Sequence, residues 1–349
     1  MDRRKFFWGA CFAMMSAIAL PAQAAPFKVE EASISDVHRA MGQGQLTARQ
    51  LVEIYLKRIE AYDKKGPAIN AIIQINRKAL AEADRLDAAY RKSGLTGPLH
   101  GIPILVKDAI ATTDVPTTGG SLSLKGFVPK NEATIVRKLK AAGAIILGKT
   151  NLDEFTFGTR GISSLGGQTL NPYDLTRNPA GSSGGSGAAV SANFAMAALG
   201  TDTGSSIRFP SSSTSLVGLR ATIGLVSRFG IMPNSMTQDT GGPLARNVTD
   251  VARLLDVMAG YDAADTATAW SIGQLAKSYA AGLDPKGLRG ARIGILESFY
   301  GTGEESADVN AVMAASAEAM RKADATLVPL KDVFDINEIG EMQVATYET

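Results

Sequence analysis

The stretch Glu132-Ala-Thr-Ile-Val-Arg-Lys-Leu-Lys-Ala-Ala-Gly143-Ala-Ile-Ile-Leu147 changes character at its glycine, and that change decides the fold. Glu132 to Ala142 reads as a helix, Gly143 stops it, and Ala144 to Leu147 follows at once as a short apolar run typical of a buried strand. Upstream, Ile102 to Val106 is a β-branched apolar run ending at Lys107, Lys78 to Tyr90 is helical in composition, and Ala68 to Ile75 is a short strand. Thr47 with Gln50 forms a capping box, after which Leu51, Ile54, Tyr55 and Ile59 recur at helical spacing. Downstream, Thr249 is expected to cap a helix carrying Val251, Leu254, Leu255 and Met258, with Gly260 as its stop. Ala291 to Leu296, a helix from Ala307 to Ala323, and Thr326 to Leu330 then make a further β-α-β unit. Strands alternating with helices predict an α/β protein with a largely parallel sheet, and no internal repeat interrupts the pattern.

Gly158 to Gly242 departs from this rhythm, being rich in Gly, Ser and Thr, a composition that ordinarily marks a linker. Apolar patches at Ala188–Val190, Phe194–Leu199, Leu216–Leu219 and Ile223–Val226 break it up. A solvated linker has no use for such patches, so the region belongs to the folded body.

Met1 to Ala24 follows another logic. Arg3, Arg4 and Lys5 precede an apolar run from Phe6 to Leu20, and Pro21-Ala-Gln-Ala24 supplies small residues for cleavage. The arginine pair followed by Lys5-Phe6-Phe7 resembles a twin-arginine export signal, which predicts a periplasmic or secreted protein with no stable membrane association after the signal is removed. That segment also holds Cys11, the chain's one cysteine, and its net charge of two, so residues 25–349 are formally neutral and thiol-free. Neutrality without a basic run gives no support to nucleic acid as a partner. Without disulfides, stability rests on the core. At the other end, Ile336 to Thr349 begins new structure with no stop signal, so the chain is expected to lack a C-terminal portion.

Which nucleophile chemistry is available follows from scarcity. Gly181-Ser-Ser-Gly-Gly185 matches the nucleophile elbow of α/β-hydrolases, but that fold places its histidine after the serine, and His38 and His100 both precede it. Two distant histidines leave too few nitrogen ligands for catalytic zinc, and no Gly-Lys-Ser/Thr ending turns the Gly-rich run into a phosphate loop. No metal and no cofactor is expected. Serine activated by lysine remains, and such a lysine has to be neutral, hence buried among apolar groups. Lys107, at the end of an apolar strand, stands in such a place.

Several ordered segments now narrow the reading. Gly97-Pro-Leu-His-Gly-Ile-Pro-Ile-Leu-Val-Lys-Asp108, Gly148-Lys-Thr-Asn-Leu-Asp-Glu-Phe155, Gly181-Ser-Ser-Gly-Gly-Ser-Gly-Ala-Ala-Val190 and Gly200-Thr-Asp-Thr-Gly-Ser-Ser-Ile-Arg-Phe-Pro210 resemble the landmarks of the amidase signature family. Val217-Gly-Leu-Arg220, Gly224-Leu-Val-Ser-Arg228 and Gly242-Pro-Leu-Ala-Arg246 extend the similarity, which runs from about Ala48 to Gly260. The resemblance implies a single domain over residues 25–349, a mixed, largely parallel central sheet covered by helices on both faces, and a chain lacking part of the family's usual C-terminal region.

Carried over residue by residue, Lys107 stands at the family's catalytic base, Ser182 at its bridging serine, preceded by a cis peptide bond, and Ser206 at its acyl-forming nucleophile, 24 positions after Ser182. Backbone N–H groups of Thr203, Gly204, Ser205 and Ser206 fall where the family has its oxyanion hole, each donor typically worth about 3 to 4 kcal/mol. Ser183, Asp202 and Arg208 are expected to support the site, the last two as an ion pair, while His100 and Asp108 are structural. Relatives carry two glycines before the nucleophile where this chain has Gly204-Ser205, and a positive φ at Ser205 would strain the loop. The implied reaction is hydrolysis of a small-molecule amide to carboxylate plus ammonia or amine, with a homodimer left open. Two alternatives stand beside it: a transamidating subunit of a tRNA-dependent amidotransferase, against which the export signal argues, and a degenerate, non-catalytic family member.

Overall fold

The computed structural model describes residues 27–331. Met1 to Ala24, expected to be an export signal, and the stretch Ile336 to Thr349 lie outside the described residues. In chain order the elements begin with α1 (Ile34–Gly42), α2 (Ala48–Tyr62), β1 (Ile72–Ile75), α3 (Ala79–Ser93), β2 (Pro103–Lys107), α4 (Thr134–Ala141) and β3 (Ile145–Thr150). They continue with β4 (Ile162–Ser163), β5 (Gly167–Gln168), α5 (Gly184–Ser191), β6 (Ala197–Asp202), α6 (Arg208–Ser213), β7 (Val217–Gly218), β8 (Thr240–Ala245) and α7 (Val248–Met258). Finally come β9 (Arg292–Leu296), α8 (Ala307–Lys322) and β10 (Thr326–Leu330).

One sheet, in the order β1-β3-β2-β6-β8-β7, organises the body. At its centre β3, β2 and β6 run parallel; β1 and β8 oppose them, and β7, opposing β8, runs with the centre. Every residue of β2, β3, β6 and β8 is buried. Such two-sided burial requires layers on both faces and explains why these strands read as apolar runs and not as alternating patterns. The sheet is therefore mixed, with a parallel centre inside an α/β architecture.

Local caps start the helices. Thr47 Oγ1 accepts from the Gln50 N–H at 3.1 Å while the Thr47 N–H donates to Gln50 Oε1 at 2.9 Å, and α2 then buries Leu51, Val52, Tyr55 and Ile59. At α7 the expectation needs correction: Asn247, not Thr249, is the cap, its Oδ1 accepting from the Asp250 N–H at 2.8 Å. Thr249 lies inside the first turn, where its N–H is one of the unpaired groups that the cap serves. The first strand is also shorter than the sequence suggests, because Ala68 and Asn70 adopt positive φ and turn the chain before Ile72.

The Ser/Gly-rich middle belongs to the folded body and contributes to its core. Its helix α5 has every residue from Gly184 to Val190 buried, and its apolar patch at Phe194–Leu199 feeds central strand β6. The late β9-α8-β10 unit forms as expected, with parallel pairing from Thr326↔Arg292 to Leu330↔Leu296, but as a separate two-stranded sheet. No residue of α8 is buried, and Val309 and Val312 are exposed.

Candidate active site

Lys107, Thr150 and Asp202 all stand at the C-terminal ends of the parallel strands β2, β3 and β6, the edge where open α/β sheets collect their chemistry. Lys107 pairs in register with Thr150. Its side chain is fully buried, and Nζ lies 2.7 Å from Ser182 Oγ and 2.8 Å from Thr201 Oγ1. Burial pulls the ammonium down to about 7, against Asp153, Asp202 and Asp239, whose charges favour the cation. At neutral pH the amine is thus partly free of its proton, with a lone pair facing a hydroxyl.

Ser182 sits just before α5, after a cis peptide bond from Gly181, and is fully buried. The glycines around it are demanded by close approach. A Cβ on Gly181 would lie 1.9 Å from Asp153 Oδ2, and one on Gly185 would lie 2.4 Å from the Asn151 carbonyl oxygen. The Ser182 carbonyl accepts from the Asp153 N–H at 3.1 Å, and the Asp153 carboxylate accepts from the N–H groups of Arg160 and Gly161 at 3.0 and 2.8 Å. Ser183 ties this turn to its neighbours: its Oγ donates to the Thr201 carbonyl at 3.1 Å, and its N–H donates to the Ser206 carbonyl at 3.1 Å.

Ser206 lies in the loop between β6 and α6, half-buried, on the wall of a cavity of about 420 Å³. Thr156 to Thr159, Gly204, Ser205 and Asn234 complete the lining. The N–H groups of Gly204, Ser205 and Ser206 make no hydrogen bond among the described residues, which leaves them available to an incoming oxygen. Ser205 does not adopt positive φ, so the strain considered for a serine at this position is absent.

The loop is braced from beneath. Asp202 is fully buried, and its Oδ2 accepts from the Ile207 and Arg208 N–H groups at 3.0 and 3.3 Å and from Arg208 Nε at 3.1 Å. Arg220 Nη1 reaches Asp202 Oδ1 at 3.0 Å, a second cation beyond the expected Asp202–Arg208 pair. Burial pushes the Asp202 carboxyl up; hydrogen bonds from Arg208 and Ile207 overcome it and hold the group below the usual carboxylate range. Thr203 Oγ1 donates to Asp239 Oδ1 at 2.6 Å, and Asp239 Oδ2 accepts from the N–H groups of Asn234 and Ser235 at 2.7 and 2.9 Å.

His100 and Asp108 stand apart from this constellation. Thr96 Oγ1 lies 2.9 Å from His100 Nδ1, and Asp108 faces the second fully buried lysine, Lys149, at 3.6 Å. Thr201, Asp153 and Arg220 are additions to the residues singled out in the sequence; each lies inside a landmark segment, where its position is visible but its partner is not. Asp239 and Asn234 carry no such signal.

Comparisons with known proteins identify the family. The Amidase family model matches residues 50–344. A glutamyl-tRNA(Gln) amidotransferase subunit of Acinetobacter baumannii is 42% identical over 316 residues, which are 90% of this chain and 62% of that one. The native peptide amidase from Stenotrophomonas maltophilia superposes with a TM-score of 0.82 at 44% identity, covering 88% of this chain and 63% of that one. The corresponding glutamyl-tRNA(Gln) amidotransferase subunit from Thermotoga maritima gives a TM-score of 0.73 at 28% identity over 92% of this chain and 73% of that one. The chain spans about three-fifths of the length of the curated relatives it matches. By its matched segment, its parallel-centred sheet and its relatives, the chain belongs to the amidase signature family.

Proposed function

We propose that this chain is an amidase that hydrolyses a small-molecule carboxylic amide through an acyl-Ser206 intermediate, with Ser182 as proton bridge and Lys107 as base. The observation that carries the reading is the 2.7 Å contact between Lys107 Nζ and Ser182 Oγ in a fully buried setting beside the Ser206 loop. A lysine held at about 7 can act as a base at neutral pH, which a solvated lysine cannot.

In the first step Ser206 Oγ bonds to the amide carbonyl carbon. Its proton passes to Ser182, whose own proton passes to neutral Lys107. The carbonyl oxygen gathers negative charge where the free N–H groups of Gly204, Ser205 and Ser206 can receive it, an arrangement typically worth about 3 to 4 kcal/mol per donor. Collapse of this intermediate breaks the C–N bond, and the proton returns from Lys107 through Ser182 to the leaving nitrogen, which departs as ammonia or amine. Water then adds to the acyl ester by the same proton route and releases the carboxylate. Ser183 and the Asp202–Arg208–Arg220 cluster keep the two serines in register.

The amidotransferase relatives favour a second reading, in which the chain is a transamidating subunit of a tRNA-dependent amidotransferase. Export by the twin-arginine-like segment, which we take to deliver the protein to the periplasm or beyond, argues for the free-standing amidase. Ser206→Ala and Lys107→Ala should each abolish release of ammonia or amine from a panel of amides, with unchanged circular dichroism. Wild-type turnover in either variant would contradict the assignment.

A further inference from the structure

Lys107 Nζ touches two hydroxyl oxygens, Ser182 Oγ at 2.7 Å and Thr201 Oγ1 at 2.8 Å. The proton route uses the first and leaves the second without a task. Thr201 is buried in central strand β6, opposite Gly241 of β8, and its Oγ1 makes no other hydrogen bond among the described residues. An apolar side chain of the same branched shape would suit such a strand, whereas a buried hydroxyl is unfavourable unless it is partnered. Its partner is Lys107.

The two hydroxyls are held in one frame. Ser183, next to Ser182 in the turn, donates its Oγ to the Thr201 carbonyl at 3.1 Å and accepts from the Thr201 N–H at 3.3 Å. A cationic lysine has three N–H groups and no lone pair, so both hydroxyls accept from it. Loss of the proton leaves two N–H groups and one lone pair, which rotation about Cε–Nζ can turn toward either oxygen. Only one orientation is productive, with the lone pair at Ser182 and the serine donating. The other reverses that bond, so that the lysine donates to the serine whose proton it has to take.

We propose that Thr201 is a positioning residue that accepts one Lys107 N–H and so aims the lone pair of the amine at Ser182. Its hydroxyl has two acceptor lone pairs and one hydrogen that rotates away from Nζ. As Lys107 takes up the serine proton, the same contact persists and favours the ammonium that forms. Thr201 acts through Lys107 alone, since it takes no part in the lining of the Ser206 cavity.

This inference rests on the amidase reading, and a probe that needs no amide separates the two. A fluorophosphonate labels Ser206 as Oγ bonds to phosphorus, fluoride leaves and the serine proton passes through Ser182 to Lys107. The labelling rate is followed from about pH 5.5 to about pH 9 in the unmutated chain, Thr201→Val and Thr201→Ser. Thr201→Val removes the acceptor and keeps the branched shape. Its plateau rate at high pH should fall about ten-fold, while its acid limb moves about one pH unit lower because the ammonium loses a hydrogen bond. Thr201→Ser keeps the hydroxyl and should keep both plateau and limb. Asp153, Asp202 and Asp239, whose charges act on Lys107, are the same in all three chains, so the limb reports the hydroxyl. A merely structural role would lower the rate with the limb unmoved or, by admitting water, shifted upward. An unmoved or rising limb, an unchanged plateau, or a Thr201→Ser chain as impaired as Thr201→Val overturns the proposal; if Thr201→Val does not fold, Thr201→Ala is held to the same outcomes. The expected labelling signature without turnover of any amide removes the amidase reading and leaves the Thr201 contact standing.

Discussion

Acidification should slow acylation along one titration, and the structure fixes where. Burial brings the Lys107 ammonium from its ordinary 10.5 to about 7. At pH 7 roughly half of the lysine is then neutral, against about 0.03% for an ordinary lysine, so the fold raises the fraction of active base by on the order of a thousandfold. From pH 8 to pH 6 the neutral fraction falls from about 90% to about 10%, and the acylation rate should fall with it, close to ten-fold. Asp153, Asp202 and Asp239 favour the cation, so Asp153→Asn, which removes the largest of these charge contributions, should move the limb to lower pH. The assay is single-turnover acylation by a chromogenic amide from about pH 5.5 to about pH 9 at fixed ionic strength. A flat profile, a limb near the ordinary lysine value, or a rate that rises on acidification would refute the assignment of Lys107 as the base.

Other consequences are structural. Gly181→Ala places a methyl group 1.9 Å from Asp153 Oδ2, so it should cost about 3 kcal/mol or more in urea denaturation and remove activity with it. Arg220 is 23% exposed and Arg208 51%, both facing the same buried carboxylate, so Arg220→Met should lower the urea midpoint more than Arg208→Met. Lys149 is fully buried and held down to about 8 by burial, only partly offset by Asp108, so its folded value lies below its unfolded one. Stability linked to it is complete above pH 10.5 and is lost as the pH falls through about 8. Lys149→Met should flatten that rise in urea midpoint while costing about 3 to 5 kcal/mol near neutrality, because Asp108 is left buried beside no cation.

Much of this protein is legible where chemistry and pattern coincide. Ile102 to Val106 reads as a buried strand because every residue is apolar, and the lysine at its end stands out by contrast. Burial on both faces removes the alternation that would separate β3 from a buried helix, so punctuation by Gly143 has to discriminate. Thr249 and Asn247 are both good caps two residues apart; only the hydrogen bond to the Asp250 N–H separates them. Ser205 reads as a strained substitution in the sequence, yet its φ depends on how Asp202 gathers the Ile207 and Arg208 amides, a tertiary matter. Arg220, Asp239 and Asn234 reach the site from 18, 36 and 78 positions away from Asp202, Thr203 and Thr156 respectively, distances at which local pattern carries no partner information.

The central claim is that Ser206 is an activated nucleophile, and covalent labelling tests it most directly. A fluorophosphonate probe followed by peptide mass spectrometry should place one adduct on Ser206, with labelling lost in Ser206→Ala and strongly slowed in Lys107→Ala. An adduct on Ser205 or Ser182, or a folded chain that takes no label, would contradict it.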